Sequence, residues 1–193
     1  MLTRLTLLLL WVFSIVQIAF VRTSEVPTPY EDADAYEVYS AILPSEWPLH
    51  AANAKALIIQ SETRTYKMCL RPDKEWENIV GPAISDYQKM NDKHWLLQRK
   101  FSIEVPYKLV SSDELKSVFE RGSWENFYKE YPASGGVIEL SAVGFNADKT
   151  IAVVYVAHLC GILCGGGGFQ VCQKKMGRWV PLDWKGLSCG WES

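Results

Sequence analysis

The chain has 193 residues, 48% of them hydrophobic and 22% charged, with a formal net charge of −2. That length suffices for one ordinary domain with a proper core. The charge balance excludes the electrostatic footprint of a nucleic-acid-binding protein.

Arg4 precedes an apolar run from Leu5 to Val21, broken only by Thr6, Ser14 and Gln17. A basic start followed by an apolar stretch reads as an export signal, and its length also suits the shortest membrane-spanning helices, roughly 17 residues. Residues 1–24 are therefore expected to be a cleaved signal peptide or an uncleaved N-terminal anchor. In either case the body is exported, to the periplasm or the exterior, and touches a membrane only through residues 5–21. No Asn-x-Ser/Thr acceptor occurs in the body, which favours a bacterial envelope or secreted protein. Five cysteines then meet an oxidising compartment, and the odd count leaves at least one thiol outside an intrachain pair.

Residues 25–34 are acidic, carry Pro27 and Pro29, and read as a linker into a single domain over 35–193. Tyr36, Tyr39, Ile42 and Leu43 recur at helical spacing over Ala35–Leu43, stopped by Pro44. Ala56–Ser61 is a short apolar strand. Val80, Ile84, Tyr87 and Asn91 place a second helix at Pro82–Asn91, with Pro82 in its first turn. Phe101, Ile103 and Val105 alternate with polar residues as in a half-buried strand, and Pro106 sets that strand at an edge or bulge. Ser111-Ser112-Asp113-Glu114 fits a capping box opening a helix that carries Leu115, Val118 and Phe119. Gly122 ends it, and Ser123 caps one or two further turns up to Pro132.

The last third reads as strands: Val137–Phe145, Thr150–His158, Phe169–Lys175 and Trp179–Asp183, with a hairpin loop at Asn146–Lys149. Ile151 to Ala157 is apolar at every position and so predicts a central strand covered on both faces. The expected fold class is α+β: an antiparallel sheet of four to five strands, with a C-terminal meander, packed on two or three helices.

Several blocks follow one another in a familiar order. They are Tyr36-Glu37-Val38-Tyr39-Ser40, Phe127-Tyr128-x-x-Tyr131-Pro132-x-Ser134-x-Gly136, Ser141-x-Val143-Gly144-Phe145-Asn146 and Val154-Tyr155. Cys160-Gly161-x-Leu163-Cys164-Gly165-x-Gly167 and Gly177-x-Trp179 complete the series. These blocks, spanning about Tyr36 to Trp179, resemble a group of uncharacterised exported bacterial proteins. The resemblance implies export and a single domain. The group has no assigned activity, ligand or catalytic residue, so no site is carried over, and Cys69, Cys172 and Cys189 lie outside the blocks.

The candidate chemistry centres on His158 to Gly168. If Gly161-Ile162-Leu163 form a tight hairpin loop, Cys160 and Cys164 face each other at disulfide distance. So short a ring stabilises by roughly 2 kcal/mol. A redox role favours Cys-x-x-Cys at a helix start, whereas this is Cys-x-x-x-Cys between strands. A metal site would recruit His158, Cys160 and Cys164 with Cys172 or Cys189, at a spacing that matches no common zinc module. Gly165, Gly166, Gly167 and Gly168 lack the Gly-Lys-Ser/Thr of a phosphate loop; they allow a bulge, a close backbone approach, or a ligand lying flat on bare backbone. Trp179 and Trp184, with Trp191, fall where the sheet ends and are candidates for a ligand-facing aromatic edge.

No nucleophile elbow or His-Glu-x-x-His helix is present, and only His50, His94 and His158 are available as imidazoles. Glu139 is expected on the solvated face of its strand. No cofactor is implied and no catalytic residue is identified. The reading is an exported, non-enzymatic module that binds a partner protein or an extracellular ligand. Its alternative is a thiol-redox or metal-binding protein that uses the Cys160/Cys164 hairpin.

Overall fold

The computed structural model describes residues 27–46, 54–66, 70, 72, 74–182 and 190–193. Residues 1–26, Cys69, Trp184 and Cys189 lie outside the described residues. The described elements are, in order, β1 (Thr28–Pro29), α1 (Ala33–Glu46), β2 (Ala56–Gln60), α2 (Glu77–Met90), β3 (Trp95–Leu96) and β4 (Tyr107–Val110). Then come α3 (Ser112–Glu120), α4 (Ser123–Glu130), β5 (Ser134–Leu140), β6 (Gly144–Phe145) and β7 (Ile151–Gly161). The chain finishes with β8 (Cys164–Lys175), β9 (Arg178–Pro181) and β10 (Trp191–Glu192).

The class is α+β, but its architecture corrects the expected one. Among the described residues a curled sheet holds eight strands in the order β10-β8-β7-β5-β2-β4, with β6 added beside β7 and β9 beside β8, while β1 and β3 form a separate parallel pair. Four helices pack on it, rather than two or three. The sheet is also mixed. β2 runs parallel to both β4 and β5, while β5, β7, β8, β9 and β10 pair antiparallel. Parallel neighbours need crossovers, and α2 supplies one between β2 and β4, as α3 and α4 do between β4 and β5.

Side-chain alternation splits the core into two layers. One face of the sheet (Leu57, Ile59, Ile138, Leu140, Val154, Val156) packs with Tyr36, Tyr39, Ile42 and Leu43 of α1. The other face meets α2 through Val153, Tyr155 and Val171, and meets α3 and α4 through Ile58 and Val137. A side chain at Gly144 would overlap the backbone of Tyr87 and Ala83, so α2 lies directly on β6. The segment before α1 is docked: Tyr30 is buried, and its hydroxyl accepts from Val143 N at 3.0 Å.

Several boundaries move for identifiable reasons. Pro44 does not stop α1, which runs on to Glu46; a proline so near the C-terminus removes only one late helical hydrogen bond. α2 begins five residues before Pro82. Phe101 to Val105 alternates in burial as expected but joins no ladder, and the strand forms one step later as β4. The expected strand Val137–Phe145 breaks at residues 141–143. There the buried Asn91 side chain takes both backbone groups of Ala142, each at 3.0 Å, and Tyr39 donates to Ser141 O at 2.6 Å. Ser111 caps α3 by accepting from Glu114 N, but Glu114 turns to Lys108 and Tyr131 instead of closing the box.

Candidate functional site

The longest hairpin of the sheet carries the candidate chemistry. The apolar run Ile151–Ala157 makes β7 a central strand, buried from Ile151 through Ala157. It continues past the core to Gly161, turns through Ile162-Leu163 and returns as β8. Both turn residues are 84% exposed. Cys160 and Cys164 are joined by a disulfide, with Cα atoms 5.0 Å apart. The register slips between Leu159 and Gly161, a bulge that lets the bond span the hairpin end. Tyr128 on α4 donates to Cys160 O at 2.8 Å and ties the hairpin back to the body. Burial holds the Tyr128 hydroxyl above its ordinary pKa, so it remains a donor.

The four glycines that follow belong to two different surfaces. Gly165 and Gly167 pair with Leu159 and Ala157, and Gly166 and Gly168 pair with His158 and Val156. On the first face Trp191 lies across the strand. A Cβ at Gly167 would come within 2.5 Å of the Tyr155 hydroxyl and 2.8 Å of Trp191 Nε1; one at Gly165 would meet the Trp191 ring at 3.3 Å. Trp191 Nε1 donates to the Tyr155 hydroxyl at 2.6 Å. Tyr155 also stacks on Tyr66, ring centroids 4.3 Å apart. Its pKa is raised by burial, opposed by the Trp191 hydrogen bond, so the hydroxyl stays protonated at neutral pH.

All four glycines line a cavity of about 840 Å³, which opens to solvent beside the disulfide. His158, Gly166 and Glu192 form one row across β7, β8 and β10. Strand spacing puts the stems of the imidazole and carboxylate roughly 10 Å apart, with bare backbone between them. Val156, Gln170, Trp191, Cys160 and Cys164 also line it. His158 Nε2 lies 2.9 Å from Gly135 O. A carbonyl only accepts, so Nε2 carries hydrogen in this contact.

The structure therefore joins Cys160 to Cys164 and brings Gly166, Gly168 and His158 to one cavity. Gly165 and Gly167 line the same cavity, although a side chain at either would meet Trp191. Trp179 is buried in the α1 layer, 5% exposed and beside Phe145, and does not line the cavity. The metal set does not assemble. Cys172 is buried opposite Ala152, six positions along β8 from Gly166, or about 20 Å at strand rise. Among the described residues, no group of three or more His, Cys, Asp or Glu is placed to hold a metal ion. Glu192 and Gln170 were not singled out by sequence reasoning. Period-2 alternation from Gly166 reaches Gln170, but Glu192 is found only through its cross-strand pairing.

Glu139 also corrects its expectation. It faces the α3–α4 side rather than solvent, with 16% of its side chain exposed and Arg64 Nε at 3.5 Å. Burial raises its pKa, and Arg64 offsets this only in part.

No protein-family model matches the chain, and neither a curated protein nor a solved structure matches it.

Proposed function

We propose that the protein is an exported thiol–disulfide module that acts on a partner through the open face of the β7–β8 hairpin. The single observation behind this reading is the placement of the disulfide. It closes the hairpin end with Cys164 exposed and Cys160 half-buried, and both cysteines line the cavity. Access makes Cys164 Sγ the electrophile. A partner thiolate attacks it, the Sγ–Sγ bond breaks, and Cys160 leaves as a thiolate. A second partner thiolate then resolves the mixed disulfide. The partner dithiol becomes a disulfide and the hairpin becomes a dithiol, so two electrons pass from one to the other. His158, two residues before Cys160 on β7 and lining the same cavity, stabilises the leaving thiolate when its imidazole is protonated.

A second reading, ligand binding without redox change, is favoured by the cavity over Gly166 and Gly168. The two share a surface but differ in chemistry. Export rests on the leader and on the disulfide, which persists in an oxidising compartment.

Trapping separates them. In a Cys160→Ser variant the resolving thiol is gone, so Cys164 should accumulate a mixed disulfide with oxidised glutathione, while the reduced wild type clears it by closing the hairpin. A Cys164 that forms no adduct over hours contradicts exchange and leaves the binding reading.

A further inference from the structure

A second cavity, independent of the hairpin chemistry, lies between the sheet and the α3–α4 pair. It holds about 370 Å³, within the range of small-ligand sites. Leu115 and Phe119 of α3, Trp124 of α4 and Val137 and Leu159 of the sheet give it apolar walls. Its polar lining is Gln60 and Glu139.

Two features set it apart from a packing defect. A carboxyl is held in a largely apolar chamber, where an apolar side chain would serve the core better. Among the described residues its ion-pair partner is Arg64, which makes one contact through Nε and keeps 55% of its side chain exposed. Arg64 itself is not among the lining residues, so the charge offered to the cavity is negative. Gln60 already donates its amide nitrogen to Glu62 O and to the Ser112 hydroxyl. The electrostatic opening is therefore at Glu139. Phe119 and Trp124, in edge contact at 5.0 Å, provide aromatic wall of the kind that attracts cations.

We infer that this cavity binds a small organic cation with an apolar body. The ammonium pairs with Glu139 and displaces the exposed Arg64 guanidinium towards solvent. The body lies among Leu115, Phe119, Trp124 and Leu159.

Benzylammonium is the probe, with benzyl alcohol as its neutral counterpart and benzoate as its anionic one. Binding is followed by amide shifts in nuclear magnetic resonance spectra of the full folded protein. Benzylammonium should shift Val137 and Leu159 and bind at least about tenfold tighter than benzyl alcohol, with benzoate weaker still. Glu139→Gln should remove that preference, and Arg64→Ala should tighten binding by freeing the carboxylate. Equal affinity for the three probes, an unchanged preference in Glu139→Gln, or shifts confined to His158 and Gly166 would each overturn the assignment. If Glu139→Gln fails to fold by circular dichroism, the Arg64→Ala result decides, and weakened or unchanged binding there refutes it.

Discussion

Four identical residues in a row do two jobs on β8. Gly165 and Gly167 lie beneath Trp191 and Tyr155, where a side chain has no room. Gly166 and Gly168 take the opposite face, where Gly166 is buried in the row between His158 and Glu192. The residue type is the same, so the difference comes wholly from what the neighbouring strands place on each face. A glycine under a cover is a packing requirement. On the other face the clash is milder: a Cβ at Gly166 would meet nothing nearer than Trp191 O at 3.2 Å.

This contrast can be broken by substitution. Gly167→Ala puts a Cβ 2.5 Å from the Tyr155 hydroxyl and 3.0 Å from Ala157 Cβ. Overpacking of that kind should cost about 1–3 kcal/mol, read from urea unfolding. Gly166→Ala meets only Trp191 O at 3.2 Å and Glu192 Cγ at 3.6 Å. It should cost less than about 1 kcal/mol while narrowing the cavity. Equal losses would erase the distinction between the faces.

Removing the disulfide is expected to cost slightly less than the larger of those effects. A five-residue ring contributes roughly 2 kcal/mol in the loop-entropy picture, so Cys160→Ser with Cys164→Ser should lower the urea midpoint by a matching amount. No change would mean that the Tyr128 tie alone holds the hairpin end. Trp191→Phe keeps the ring over Gly165 but deletes the 2.6 Å hydrogen bond to Tyr155. About 1 kcal/mol should be lost, read from urea unfolding.

How far the sequence carried depends on range. The apolar run at Ile151–Ala157, the Ser111 cap and the tight Cys160–Cys164 hairpin are local signals, and they were legible. The parallel pairing of β2 with β4 and β5 was not, because four residues of β4 show no distinctive alternation and the pairing is non-local. Asn91 sat at a helical apolar position and gave no sign that its amide would interrupt the strand at Ala142. Trp179 was read as an edge aromatic because nothing in the tail shows that β9 folds against the α1 layer. The glycines needed their cross-strand partners before odd and even could be told apart.

Glu139 was misread for a similar reason, and its titration gives the smallest expected effect. Burial, opposed by Arg64, sets its folded-state pKa above the ordinary carboxylate value. A raised pKa means that the folded protein holds the proton more readily than the unfolded chain. The resulting stabilisation is present below the unfolded value and is lost as pH rises through the folded one. Glu139→Gln should therefore raise Tm at pH 7, and the gain should vanish below about pH 4, where the carboxyl is protonated in both states. A lower Tm at pH 7 would show that the Arg64 pair outweighs burial.

The most direct test of a working hairpin is the redox equilibrium of Cys160 and Cys164 in glutathione buffers, read by alkylation and mass. An exposed exchanging pair should be half-reduced at a potential above about −300 mV, and His158→Ala should shift that potential downward by destabilising the leaving thiolate. A pair that stays oxidised well below that potential, with or without His158, would be a structural staple and would contradict the proposed exchange.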